Sequence, residues 1–138
     1  MFFAVARLRQ LLLGSAHMRI LLSAKLHGGT VTNCNIDYEG SCGIGPALLK
    51  ASGILPLEKI SVLNVSTGHR LETYVIRGET DDELSLNGAA ARFAAKGDKI
   101  IILAFTVLTP KEIAKHKARI VILGPRNKIA SVRDARPQ

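Results

Sequence analysis

The residues best equipped for chemistry sit in one short stretch, Tyr38-Glu39-Gly40-Ser41-Cys42. A serine hydroxyl beside a glycine carbonyl is a nucleophile next to an electrophile. Taken alone, Gly-Ser after a strand reads as a turn. A serine hydrolase fits poorly, because the G-x-S-x-G elbow needs glycine two residues before the serine and Glu39 stands there. No His–Asp pair is spaced to relay a proton from Ser41. His17, His27, His69 and His116 are scattered, as are Cys34 and Cys42, so no metal site is expected. Two cysteines are too few for a disulfide framework. Many other residues can bind charge or move protons, among them Lys25, Arg70, Thr73, Tyr74 and Asn87, and residue type alone selects none of them. Singly, each has a bland reading. Arg70 follows a turn, Tyr74 lies in an amphipathic strand, and Asn87-Gly88 is a hairpin-turn pair.

These groups need a scaffold, and the pattern from Met18 onward is one of short strands separated by turn signals. Arg19–Leu26 reads as a strand that ends at Gly28-Gly29. Thr30–Ile36 reads as a second strand, rich in β-branched residues. Gly45–Ser52 reads as a helix, with Pro46 near its start and Gly53 as its stop. Lys59–Val65 and Arg70–Arg77 are strand-like, with the turn Ser66-Thr67-Gly68 between them. On the latter, Leu71, Thr73 and Val75 share one face, and Tyr74 and Ile76 the other. Gly78–Glu83 is a polar loop, Leu84–Leu86 a short strand and Ala89–Ala95 a helical turn. Lys99–Leu108 is nearly all apolar, which predicts a strand buried on both faces. Pro110–Lys117 reads as a small helix capped by Thr109. Arg119–Leu123 is the last of about seven strands, and the end beyond Gly124 is expected to fray. Short strands in this number predict a small closed barrel.

Composition limits the alternatives. The chain has 138 residues, 47% of them apolar, which suits one packed domain. Its net charge of +8 is unevenly spread. Residues 18–110 hold as many acids as bases, while residues 111–138 hold eight bases and two acids. With no Trp, two Tyr and four Phe, a stacking platform for nucleic acid is not expected. No apolar run approaches the roughly 20 residues of a membrane-spanning helix. Residues 1–17 read as an N-terminal extension, or as a start assigned too early, with Met18 as the alternative. Their apolar stretch is broken by Arg7, Arg9 and Gln10, unlike a secretory signal, so a cytoplasmic location is expected. The domain plan is thus an extension over 1–17, a barrel over 18–123 and a basic tail over 124–138.

The joint pattern says more than its parts. Lys25-Leu26-His27, Tyr38-Glu39-Gly40-Ser41, the stretch Asn64 to Tyr74 with Arg70-Leu71-Glu72-Thr73-Tyr74, Asn87-Gly88-Ala89-Ala90-Ala91, and Lys96-Gly97-Asp98-Lys99 follow in that order. This series resembles the pyruvoyl-dependent aspartate decarboxylase family across roughly residues 18–130. The resemblance implies a mainly β fold, a double-psi β-barrel with a few short helices, assembled as a homotetramer with sites between subunits. It implies that the Ser41 hydroxyl attacks the Gly40 carbonyl, that the resulting ester undergoes β-elimination, and that hydrolysis leaves a pyruvoyl group on residue 41. Glycine at 40 is expected to allow an unusual backbone conformation and open access. The family uses the pyruvoyl ketone to take up the amine of L-aspartate as a Schiff base and to accept electrons as carbon dioxide leaves. The product, β-alanine, feeds pantothenate and coenzyme A synthesis. No metal and no pyridoxal phosphate are expected.

By the same resemblance Thr73 assists cleavage, Tyr74 donates the proton that follows decarboxylation, and Arg70 and Lys25 hold carboxylate. Tyr38, Asn87, Gly88, Ala89 and Ala90 line the pocket. Cleavage is either spontaneous or assisted by a maturation factor. Two stretches depart from the family pattern: Gly28-Gly29 replaces a basic residue followed by alanine, and Gly45-Pro46 replaces an acidic residue. Two other readings compete. One is a catalytically silent barrel that binds anionic partners or RNA through its basic tail. The other is a pyruvoyl enzyme for a different acidic amino acid.

Overall fold

The computed structural model describes residues 3–8 and 17–138. The expected extension over 1–17 falls largely outside them; residues 3–8 are helical (α1) and exposed. Nine strands follow, joined edge to edge in the order β2-β6-β3-β5-β4-β7-β1-β8-β9. They are β1 (Arg19–Thr30), β2 (Asn33–Asn35), β3 (Ser41–Ile44), β4 (Lys59–Asn64), β5 (Arg70–Arg77), β6 (Leu84–Asn87), β7 (Lys99–Leu108), β8 (Ala118–Leu123) and β9 (Ile129–Ala135). Most neighbours are antiparallel, but β1 with β8, β2 with β6 and β3 with β5 run parallel. Such parallel pairs require crossover connections rather than hairpins. The arrangement is mainly β, as the double-psi barrel requires.

Several expectations hold. Helix α2 (Pro46–Ser52) starts after Gly45 with proline in its first turn and ends at Gly53, at φ 76°. Strand β5 has the expected bounds, with Val75 buried and Tyr74 on the exposed side. The turn over Gly88–Phe93 is a 3-10 helix, η1.

Other expectations are corrected. β1 does not stop at its glycines; Gly28, at φ 80°, sits in a bulge, and pairing with β7 resumes at Gly29 and Thr30. A Cβ at Gly29 would come within 2.5 Å of Leu84 Cδ1, so backbone and packing account for this glycine pair. The strand read over Thr30–Ile36 shrinks to β2. β7 alternates instead of being buried on both faces: Ile100, Ile102 and Ala104 enter the core, while Phe105 and Val107 are exposed. Helix α3 covers only Pro110–Ile113, capped as expected by the Thr109 hydroxyl, which accepts from the Glu112 N–H. The end of the chain does not fray: β9 pairs antiparallel with β8 over six registered positions. Its alternating Ile129, Ser131 and Arg133 suit a two-sided edge strand.

The core gathers Leu26, Ile44, Leu48, Ile60, Val75, Leu84, Leu86, Ile100, Ile102 and Val121, all at most 2% exposed. Among the described residues no helix is long and apolar enough to cross a membrane.

Candidate active site

Ser41 opens β3 and is fully buried. Across the antiparallel ladder it faces Asn87, the last residue of β6. The Asn87 Nδ2 donates to Ser41 Oγ at 3.1 Å, and the Ser41 hydroxyl donates to the Glu39 carbonyl at 3.3 Å. The nucleophile is therefore oriented by a side-chain amide that is itself buried.

The backbone behind this pair is equally constrained. Gly88 has φ 63°, and a Cβ there would lie 2.7 Å from Gly40 Cα and N and 2.9 Å from the Tyr38 carbonyl oxygen. Only glycine lets η1 begin against the Gly40–Ser41 junction. Gly40 differs from the expectation. Its φ lies outside the left-handed region, and a Cβ on it would meet nothing closer than the Asn87 carbonyl oxygen at 3.9 Å. The glycine requirement at this junction thus falls on Gly88.

On the other side of β3 lies β5, in parallel register with Cys42 opposite Val75. Carrying that register back by one and two residues sets Ser41 level with Tyr74 and Gly40 level with Thr73. Thr73 and Tyr74, the β5 residues read as acting on cleavage and proton donation, thus come directly before the part of β5 that pairs with β3. Cys42 is fully buried; burial, reinforced by the Glu83 carboxylate, pushes its thiol up to about 12, so it stays protonated and inert.

Tyr38 and Asn87 line a cavity of about 410 Å³ with Thr32, Arg77, Glu83 and Ser85. Glu83 is a residue that sequence reasoning left in a polar loop. Its Oε2 accepts from the Ser85 hydroxyl at 2.9 Å, and its Oε1 accepts from the Glu79 N–H at 3.1 Å. A Cβ at Gly43 would collide with both Glu83 and Ser85. The pairing of Gly43 with a carboxylate forty residues on was the signal available, though nothing in the sequence says that they meet.

η1 is pinned from behind. Asn64 is buried, and its amide donates to the Phe93 carbonyl and to Asp98 Oδ2, while its oxygen accepts from the N–H groups of Ser66 and Thr67. The Asn64 amide, aided by the Ala95 N–H, holds the Asp98 carboxyl below the usual carboxylate range. His69 packs edge-on against Phe93 at 5.6 Å, a structural role. These contacts fix η1, and with it Gly88, Ala89 and Ala90, against the junction.

Two expected site residues are not brought here. Lys25 lies in β1 between Leu103 and Ile120, and β5, β4 and β7 separate that strand from β3 in the sheet order. Arg70 starts β5, four residues from Tyr74, a separation of roughly 13 Å along an extended strand. Within one chain the cations and the serine stand apart. Among the described residues no cluster of His, Cys, Asp or Glu could hold a metal ion.

Comparison with known proteins gives the family. The profile of the aspartate decarboxylase family matches residues 17–130. The aspartate 1-decarboxylase of Ralstonia nicotianae is 47% identical over 116 residues, covering 83% of this chain and 97% of its own. That of Methylibium petroleiphilum is 48% identical over the same shares. That of Caldicellulosiruptor bescii is 48% identical over 115 residues, covering 83% of this chain and 90% of its own. Barrel and match together define a carboxy-lyase class built on a double-psi fold. The chain belongs to the aspartate decarboxylase family.

Proposed function

We propose that this chain cuts itself between Gly40 and Ser41 and then decarboxylates L-aspartate to β-alanine and carbon dioxide. One observation carries the reading: in a member of this family, a buried serine at the Gly-Ser junction is oriented by Asn87 and backed by Gly88. The Ser41 oxygen attacks the Gly40 carbonyl carbon, and the peptide becomes an ester as the amine of residue 41 is released. Loss of the Ser41 α-proton expels the Gly40 carboxylate and leaves a dehydroalanine, and water then replaces its nitrogen, which departs as ammonia. The donor set suits the product group, since Asn87 Nδ2 and the small residues 88–90 can hold a keto-amide closely. A pyruvoyl group at residue 41 supplies the electron sink for loss of carbon dioxide.

The remaining work falls to the chain's own side chains. Tyr74, whose phenol O–H is a proton donor, delivers the proton that follows loss of carbon dioxide. Thr73, level with Gly40, steadies the carbonyl during cleavage. Arg70 and Lys25 bind the carboxylates, and Tyr38 walls the pocket. Because one chain leaves these cations away from Ser41, the reading includes a homotetramer with sites completed across subunit boundaries. Pantothenate supply and a cytoplasmic location belong to the same reading.

Intact mass spectrometry under denaturing conditions tests it. The expected result is two pieces, the larger comprising residues 41–138 with its first residue lacking an amine. A single uncut chain that turns over aspartate would overturn it.

A further inference from the structure

Apart from the cavity of Tyr38 and Asn87 lies a cleft that shares none of its lining residues. It consists of two adjoining cavities of about 660 and 320 Å³, which share Ser23, Ser52, Gly53, Leu108 and His116. Ser23 is the residue skipped where the β1–β7 register slips between Leu22 and Ala24, so the strand opens there. His116 Nε2 lies 2.7 Å from the Leu22 carbonyl oxygen and closes that wall.

The two ends of the cleft carry opposite charge. Glu58 lines the smaller cavity, and its Oε2 is buried without a hydrogen-bond partner. Burial pushes its carboxyl pKa up, and the Leu55 N–H opposes that shift. An unpartnered buried carboxylate oxygen is costly and calls for a donor. The larger cavity is lined by Lys50, Lys115, Lys117 and Arg119, with Glu112 and Asp134. Asp134 already engages Lys117 at 3.9 Å and Arg119 at 3.6 Å. Lys50 and Lys115 have no carboxylate partner among the described residues.

We propose that this cleft is a second binding site, for a small amino-acid zwitterion, with the ammonium against Glu58 and the carboxylate towards Lys50 and Lys115. The charge order decides the ligand class. A simple anion would leave Glu58 unpartnered and would face a like charge. A simple amine would leave the lysines unmatched. A zwitterion carries a group of matching sign for each end. β-Alanine and L-aspartate both have this chemistry, so the enzyme's product or its substrate would act back on it. The choice of probes rests on the decarboxylase reading; the site itself does not.

The test uses the full chain carrying Ser41→Ala and Arg70→Ala, which makes no electrophile and has lost one carboxylate grip at the first site. Calorimetric titration with β-alanine and, separately, with L-aspartate is expected to show saturable binding by at least one. Saturation by β-alanine alone assigns the site to product, and by aspartate alone to substrate. Glu58→Gln, and Lys50→Met with Lys115→Met, should each weaken binding by at least about tenfold, as expected for a lost charged contact. Methylamine and acetate, which each carry half of the charge pattern, should bind more weakly than the zwitterion. Both lysines are exposed, so the lysine pair tests the site even if Glu58→Gln disturbs folding. No saturable binding of either probe, or undiminished binding in either variant, overturns the proposal. Neither result touches self-cleavage of the wild-type chain, so the two readings fall separately.

Discussion

Ser41 is buried beside Asn87 and Gly88 of its own chain, whereas Lys25 is half-buried on β1, with β5, β4 and β7 between that strand and β3, and Arg70 is exposed at the start of β5, four residues from Tyr74. The first region is held by backbone geometry: a ladder pair with Asn87, a glycine at φ 63°, and a pinned η1. The second is a set of long cationic side chains without a shared cavity. The difference separates two tasks. The proposed cleavage draws on Ser41, Asn87 and Gly88, which one chain brings together, while the proposed grip on a dicarboxylate draws on Lys25 and Arg70, which one chain leaves apart.

The contrast can be broken at several points. Ser41→Ala should abolish cleavage and turnover, read as a single intact mass and no β-alanine; a cut, active variant would remove Ser41 from its role. Tyr74→Phe should still cut itself but turn over about 10²-fold more slowly, as for a lost general acid. Wild-type rates in that variant would make Tyr74 an ordinary strand residue. Arg70→Ala should cleave normally and raise KM by about tenfold or more, the loss of a charged hydrogen bond. Mixed assemblies of Ser41→Ala with Arg70→Ala chains sharpen the point. They should contain sites with the wild-type KM, which neither variant shows alone, and a KM that stays raised throughout would place the whole site within one subunit.

Smaller effects probe the backbone. In the Ser41→Ala background, Gly88→Ala should cost about 1–3 kcal/mol in denaturant titration, because φ is positive and the Cβ meets Gly40. Gly40→Ala should change stability by only about 0.5 kcal/mol, in either direction. Equal losses would contradict the assignment of the glycine requirement to Gly88. The smallest effect is at Asp98. Its carboxyl lies below its ordinary value of 3.8 when folded, so its contribution is complete above that pH and fades as pH falls through the lowered value. Thermal melts of Asp98→Asn against wild type should therefore converge on acidification below pH 3.8. Curves that stay parallel there would remove the linkage.

The same division explains what the sequence disclosed. β5 and α2 were legible because alternation, Pro46 and Gly53 are local signals. The junction was legible as a motif series, and the ladder then joined Ser41 to Asn87. β3 was missed because Ser41–Ile44 is four buried residues without alternation. β9 was missed because its charged, exposed residues resemble a solvated tail until β8 supplies a partner. β1 was cut short because a glycine pair signals a turn, yet here it forms a bulge. Glu83 stayed hidden because its meeting with Gly43 is a tertiary event. Sequence spacing likewise carries nothing about how far Lys25 and Arg70 stand from Ser41.

β1 has one further consequence. It is paired on one edge with β7 and on the other with β8, both of which lie beyond residue 41. A cut after Gly40 puts β1 in the small fragment, yet leaves it woven into the large one. The uncut chain can lose its structure and regain it as one molecule. The cut protein must reunite two, without the effective concentration, of order millimolar, that a covalent link provides. The proposed cut would therefore act as a ratchet: recovery from heat becomes dependent on protein concentration once the chain is cut, whereas the uncut chain refolds as a single molecule.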